Sequence, residues 1–479
     1  MKSKFATFAL LFAAVFSLAS CLKDDEVEYV YTDDTLITSF VITAAKQQIP
    51  TKKSNGEYST STVVTSLYNY RFCIDQNASR IYNPDSLPYG VDLSRMLCSV
   101  VGINSSRVVI KNIADDGLSD ITNTDSIDFS VPRELQVFSN SGKTLRKYTV
   151  DVYVHKEYAD SFKWAAMPDA APLQQMSHVR PFCLTQSDGT KKLLVFGNTA
   201  SGLALQTYTT ANGWSKVNFN EVSPADIRSS LSAANANGFV AKGDSAYIAT
   251  DGKVLATTDG MRWDVRATDC GITRLVAASP VRLYGYNAAG EMMASTDRGI
   301  TWAPQAIDDA TTLLPNDEVV SLCQALKTNA GAYRVLLMGQ SAETTADKKQ
   351  TLVWGKIDEA DSKSHNQPWN YYDVTSDMKH TAPLMTSASA INYDGKAYML
   401  GRLADGTVAL YASVDGGITW SADKVLTLPA DFAAGTTPAF SMVADADNFV
   451  WLVNASQGKV WRARINRLGW KTVQNNFSE

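Results

Sequence analysis

The chain has 479 residues, with 44 Lys and Arg against 49 Asp and Glu, a formal charge of -5 at pH 7. Mild acidity over this length argues against nucleic acid as a partner, because binding its backbone needs a concentrated positive surface. Six cysteines are too few for a disulfide scaffold, and a core of this size needs no staples.

Lys2 and Lys4 precede an almost wholly apolar run from Phe5 to Leu18, and Leu18-Ala19-Ser20-Cys21 follows. A charged start, a short apolar core and small residues before a cut read as a secretory signal. Because Cys21 stands directly after Ser20, the stretch resembles the bacterial lipoprotein signal. That resemblance implies cleavage after residue 20 and lipid on Cys21. Acyl chains there would hold the protein at a membrane, each buried methylene contributing roughly 0.8 kcal/mol. Loss of Lys2 and Lys4 with the signal takes the charge from -5 to -7. Residues 21–34 read as an acidic tether. Its opening, Leu22-Lys23-Asp24-Asp25-Glu26, resembles the export tag of surface lipoproteins of Bacteroides-like bacteria. The expected address is the outer membrane of a Gram-negative cell, facing outward, with membrane lipid as the partner of Cys21.

Residues 35–156 read as one domain of short strands. Leu36–Ile42 opens it, Val63-Val64 and Tyr68–Ile74 continue it, and Val100-Val101, Val108–Ile110 and Leu135–Phe138 follow. Tyr148, Val150, Val152 and Val154 alternate with Thr149, Asp151 and Tyr153, the period of a half-buried strand. Short strands without helical periodicity suggest a two-sheet sandwich. The ending Lys147–His155 resembles the immunoglobulin-like modules that follow the anchor in gut-type surface lipoproteins. Cys73 and Cys98 share this domain and could pair, but small buried hydrophobes are the preferred reading for the cysteines.

Residues 157–479 carry a repeat. Ser295-Thr296-Asp297-Arg298-Gly299-Ile300-Thr301-Trp302 returns as Ser413-Val414-Asp415-Gly416-Gly417-Ile418-Thr419-Trp420, and Thr257-Thr258-Asp259-Gly260-Met261-Arg262-Trp263 is a shorter copy. Trp164, Trp214, Trp263, Trp302, Trp369, Trp420 and Trp470 are spaced by 50, 49, 39, 67, 51 and 50 residues. Four strands with turns need roughly 40 to 50 residues, so each interval is one blade of a propeller. An apolar strand such as Val281–Tyr286 is expected to open each unit. Six complete three-strand sets fall near 181–210, 237–257, 279–295, 333–356, 388–413 and 439–463. Six blades are favoured over seven; Trp164 is either an extra strand laid on the ring or the trace of a seventh blade.

The repeated octapeptide resembles the Asp-box of bacterial neuraminidase-repeat propellers. In that resemblance Ser295, Asp297, Gly299 and Trp302, with Ser413, Asp415, Gly417 and Trp420 and the partial set Thr257, Asp259 and Trp263, are structural and lie at the rim. Sialidases share the motif. Their chemistry implies three arginines around a carboxylate, a tyrosine nucleophile with a glutamate, and an aspartate acid. Val179-Arg180-Pro181-Phe182 departs from the family's first arginine motif, lacking the aromatic before it and the isoleucine within. Arg282 and Arg334 occupy comparable strand positions. They either face the central mouth with Arg180 or sit on a blade rim. No glutamate-tyrosine pair stands out, and His155, His178, His365 and His380 form no zinc pattern. No metal or cofactor is expected.

The chain as a whole resembles uncharacterised two-domain Bacteroides lipoproteins. The favoured function is a non-catalytic, lipid-anchored surface protein that binds a glycan or a protein through its propeller, in a setting of polysaccharide uptake. The alternative is a sialidase-like or other glycoside hydrolase or lyase with an axial site. The balance leans against catalysis without deciding it.

Overall fold

The computed structural model describes residues 30–52, 58–168, 170–218, 225, 227–341, 351–359, 367–373, 379–423, 425–435 and 439–470. The signal segment, Cys21 and the acidic tag lie outside the described residues. The described residues divide into two units, residues 30–158 and residues 159–470. Among the described residues no helix is long and apolar enough to cross a membrane.

In the first unit Ile37–Lys52 pairs with Tyr58–Ser66 on one side and Val91–Gly102 on the other. The second sheet runs Cys73–Asp75, Arg80–Tyr82, Leu145–Asp151, Arg133–Phe138, Arg107–Lys111, Leu118–Asp120, and only the pair of Arg80–Tyr82 with Leu145–Asp151 is parallel. Both sheets feed one core. Ile37, Phe40 and Ile42 from the first meet Leu135, Val137, Tyr148 and Val150 from the second. Alternation causes this, since every second residue of Arg133–Phe138 is buried. The expected strand at Tyr68–Phe72 is instead a turn, and the residues after Asp151 leave the closing strand. Cys73 and Cys98 are free thiols and form no disulfide.

Among the described residues the second unit holds six four-stranded antiparallel sheets, each a propeller-like blade. Sheet one is Val179–Thr185, Lys191–Thr199, Gly202–Thr209 and Gly213–Val217. Sheet two is Val240–Lys242, Ser245–Thr250, Lys253–Thr257 and Asp264–Thr268. Sheet three is Ile272–Ala278, Leu283–Asn287, Met292–Ser295 and Ala303–Pro304. Sheet four is Asp317–Ala325, Ala332–Gln340, Leu352–Glu359 and Asn370–Tyr371. Sheet five is Thr386–Tyr393, Lys396–Arg402, Val408–Ser413 and Ser421–Ala422. Sheet six takes Phe440–Ala444, Val450–Asn454 and Lys459–Ala463 from the far end of the unit, and its outer strand is Ala165–Ala166 from the near end.

Second strands are buried on both faces and therefore read as unbroken apolar runs. Leu193 to Phe196 and Val450 to Val453 are all buried, each side chain contributing roughly 1.5–3 kcal/mol. Fourth strands are short and exposed, and Pro304 sits in one because an edge leaves its missing N–H unneeded. From sheet two to sheet six the first strands are neighbours in sequence order. That of sheet three lies against those of sheets two and four, and that of sheet five against those of sheets four and six. The first strand of sheet six returns to that of sheet one.

Four expectations change. Val281–Tyr286 does not open its unit: Leu283–Asn287 is the second strand, and Ile272–Ala278 comes before it. Sheet four likewise opens at Asp317, well before residue 333. Both first strands carry irregular register, which breaks the alternation that marks a strand in sequence. Trp164 starts no seventh sheet, because the strand that follows it completes sheet six. Trp470 ends no hairpin and follows a 3-10 turn at Asn466–Gly469.

Candidate functional site

Each Asp-box turn joins the third strand of its sheet to the fourth. In sheet five the Ser413 hydroxyl donates to Asp415 Oδ1 at 2.8 Å and accepts the Gly417 N–H at 2.8 Å. Asp415 Oδ1 also takes the N–H groups of Ile418 and Thr419, at 3.2 and 2.9 Å. Gly299 and Gly417 take φ of 88° and 95°. A Cβ on Gly417 would stand 2.8 Å from Leu336 of sheet four, so the turn needs both the positive φ and the missing side chain. The Trp420 indole donates to Gly417 O at 3.0 Å and packs on Leu336, Met338 and Val353 of sheet four. Thr257, Asp259 and Trp263 repeat this in sheet two. Asp259 Oδ1 takes the N–H groups of Met261 and Arg262 at 2.7 and 2.8 Å, and Trp263 packs on Leu194, Phe196 and Leu205 of sheet one. Ser295, Asp297, Gly299 and Trp302 do the same in sheet three, with Trp302 against Tyr247 and Val254 of sheet two. Each turn thus carries a wedge onto the preceding sheet.

The first strands, at the opposite edge of the sheets, line a central cavity. One part, of about 180 Å³, takes at least one residue from every sheet: Arg180, Ala241, Ala278, Ser321, Ala390 and Met442. A polar compartment of about 350 Å³ is lined by His178, Asn235, Asn237, Arg274, Asp317 and Glu318, among others. A constriction of about 30 Å³ shares His178, Asn237 and Glu318 with the polar compartment and Arg180 with the first part. Glu318 and Ser387, both at the constriction, take positive φ of 47° and 51° at bulges in their strands. Non-glycine residues in that region store strain, which tends to gather where a side chain is aimed at a ligand.

Charge is unevenly answered here. Arg274 donates to Asn316 O at 2.8 Å; burial lowers its pKa, and Tyr286, Asp317 and Glu318 oppose that shift. Glu318 accepts the Ala388 N–H at 3.2 Å. The Arg180 guanidinium has no hydrogen bond or ion pair to any described residue. Burial, and then the like charge of Arg274, pull its pKa down to about 10, so it remains protonated at neutral pH.

The three arginines singled out in the sequence are not brought together. Arg282 is buried and ion-paired with the buried Asp358, which also accepts from Ser279. Arg334 lies on the second strand of sheet four with its guanidinium against Gly416. Only Arg180 lines the cavity. Sequence reasoning missed Arg274, Asp317 and Glu318 because they lie on the two first strands that the register shifts hid. Asn235 and Asn237 belong to the capped 3-10 turn Ala236–Gly238, which looked like any polar loop. Among the described residues no group of His, Cys, Asp or Glu is arranged to hold a metal ion.

Repeated four-stranded sheets, Asp-bonded turns and a polar cavity between the first strands define a predominantly β protein of propeller-like blades. The chain belongs to the DUF6242 family. Residues 158–473 match the DUF6242 beta propeller domain, and residues 40–152 match the N-terminal domain of the same family, described as a domain of unknown function. No curated protein matches the chain. Among solved structures, a Trichoderma reesei carbohydrate-active enzyme of family AA12 is 12% identical, with 64% of this chain and 96% of that one covered, at a TM-score of 0.38. YCF48 bound to D1 peptide is 15% identical, covering 63% and 95%, at 0.31. An Aleuria aurantia lectin mutant in complex with alpha-methyl-L-fucoside is 10% identical, covering 69% and 99%, at 0.31.

Proposed function

We propose that residues 159–470 form a closed six-bladed Asp-box propeller that binds a glycan in its central polar cavity. The observation that carries this reading is the compartment of about 350 Å³ lined by imidazole, amide, guanidinium and carboxylate side chains. Its size falls within the range of small-molecule sites, about 300–1,000 Å³, and its lining offers the paired donors and acceptors that sugar hydroxyls require. Closure of the ring is supported by the sequential order of first strands and by the union of Ala165–Ala166 with Lys459–Ala463. The first unit reads as an immunoglobulin-like sandwich carried by an acidic tether. Lipid on Cys21 would hold it at the outer face of the outer membrane, as in Bacteroides-type surface lipoproteins. The lipobox-like Leu18-Ala19-Ser20-Cys21 supports that anchor.

The test of binding is a glycan array probed with the full chain, followed by calorimetry on any hit. The reading expects hits that weaken at least tenfold in Asn237→Ala. Silence across neutral and acidic glycans would overturn it in favour of a protein partner, and release of a sugar product would move it to the hydrolase alternative. The test of the anchor is incorporation of an alkyne-labelled fatty acid in cells, expected in the wild type and lost in Cys21→Ser.

A further inference from the structure

We propose that the first unit pairs with a second copy of the chain along the free edge of Tyr58–Ser66, the two strands running antiparallel about a two-fold axis at Thr62. Among the described residues nothing pairs with the far side of this nine-residue strand. Its register with Ile37–Lys52 is unbroken from Ala44↔Ser66 to Lys52↔Tyr58, so no bulge turns the edge away. It carries no charged residue and no proline, and after Tyr58 it is built of Ser, Thr and Val alone. Val63 and Val64 are exposed, Val64 by 75%.

The other edges of the unit are guarded. Met96 and Ile127 exchange backbone bonds of 3.0 and 2.8 Å, and the Phe129 N–H reaches Leu93 O at 2.8 Å, which covers the far side of Val91–Gly102. The second sheet ends in two three-residue strands, Cys73–Asp75 and Leu118–Asp120. Beyond Gln47, where pairing with Val91 stops, Ile37–Lys52 has an open side of its own, and Pro50 stands there. An exposed edge that lacks all of these devices is a template for another strand.

Alternation fixes which groups are free. The Gln48 N–H reaches Gly90 O at 2.8 Å, so Gln48 faces away from Tyr58–Ser66. Thr62 lies opposite Gln48, Thr60 opposite Pro50 and Val64 opposite Lys46. These three therefore turn their N–H and C=O groups outward. A second copy answers all of them. Thr62 is the middle residue of the strand, so a two-fold axis there sets Thr62 against Thr62 and Thr60 against Val64. The pairs bring β-branched side chains together and no like charges face each other. Lys46, beyond Val64, would lie in line with Pro50 of the other copy. Pairing uses up both edges, which closes the assembly at two. A nine-residue ladder falls short of a standard interface of about 800 Å² per partner, so association is weak and concentration-dependent.

The experiment is sedimentation equilibrium of the full chain from about 1 μM to 1 mM, with amide hydrogen exchange at both ends of that range. The mass is expected to climb from one chain toward two. Exchange at Thr60, Thr62 and Val64 should slow, while Ser61 and Val63, which face Ile37–Lys52, change little. Thr62→Lys and Thr62→Glu should each self-associate roughly tenfold more weakly, and an equal mixture of the two should regain the dimer. Thr62→Pro should stay a monomer, since the N–H it loses is one that no strand of the unit uses. Should that variant not fold, the Lys and Glu pair still decides the matter. A wild type of one-chain mass throughout would overturn the proposal and assign the edge to a strand from a different protein. A dimer that all three variants leave intact would overturn it too, as would growth beyond two chains, which means open-ended strand addition. None of these outcomes alters the glycan reading.

Discussion

Asp297 holds Thr301 at two points: the Thr301 N–H reaches Oδ1 at 2.9 Å and the Thr301 hydroxyl reaches Oδ2 at 2.6 Å. Asp415 and Thr419 repeat this with the same two distances. A side chain that satisfies several turn donors acts like a helix N-cap, whose removal costs about 0.5–2 kcal/mol. Asp297→Ala and Asp415→Ala are each expected to destabilise the second unit by about 1–2 kcal/mol and leave ligand affinity unchanged. All ten tryptophans lie in this unit, so fluorescence-detected urea unfolding reads it alone.

Acid should act on the same turns. Burial alone would raise the Asp297 pKa, but the hydroxyl and N–H of Thr301, the Ser295 hydroxyl and the Ile300 N–H outweigh it and hold it at about 2. A folded pKa below the ordinary 3.8 adds stability that is complete above that value and is lost as pH falls toward 2. Asp415 shifts the same way. The double variant Asp297→Asn, Asp415→Asn should therefore be weaker at pH 7 yet lose less stability than wild type between pH 4 and 2. Urea midpoints across that range measure the difference.

Arg282 and Asp358 form a buried pair between sheets three and four. Removing one partner strands the other, so Asp358→Ala should cost about 3–5 kcal/mol. Arg282→Met with Asp358→Leu should cost clearly less than the sum of the single changes. A double-mutant cycle on urea unfolding checks this, and additive single costs would contradict it.

The two ends of the second unit are tied by Arg467, which donates to Asp160 at 2.8 Å and to Asp394 at 2.7 Å. Arg467→Ala should lower stability by about 1–2 kcal/mol, since charge-assisted bonds contribute about 1.5–3 kcal/mol and partial exposure reduces that. Lys191→Ala, which breaks a more exposed pair with Asp447, should stay within about 0.5 kcal/mol of wild type. Matched thermal melts compare the two.

Burial pushes the Cys98 and Cys323 thiols up to about 12 and raises that of Cys183. At pH 8 these three should resist a thiol reagent in the native chain and react at once in denaturant, because only the thiolate attacks. Mass mapping after timed labelling reads this site by site.

The all-β class, the hairpin unit and its repeat were legible in the amino-acid order. Turn chemistry and apolar runs are local, and Asp415 bonds only residues within four positions of itself. The apolar second strands were equally plain, being buried on both faces. The cavity was not legible. Its charged lining sits on first strands where register shifts and positive φ at Glu318 and Ser387 break the alternation that sequence reading relies on. Nor could the order show that Ala165–Ala166 completes sheet six, or that Arg467 meets Asp160 across 307 positions. Strand pairing of that span depends on where the intervening sheets bring the chain ends. The same arrangement makes a partner of Asp358 for Arg282 and, among the described residues, leaves the Arg180 guanidinium without one. Three arginines that look alike in the sequence differ because their surroundings come from distant strands.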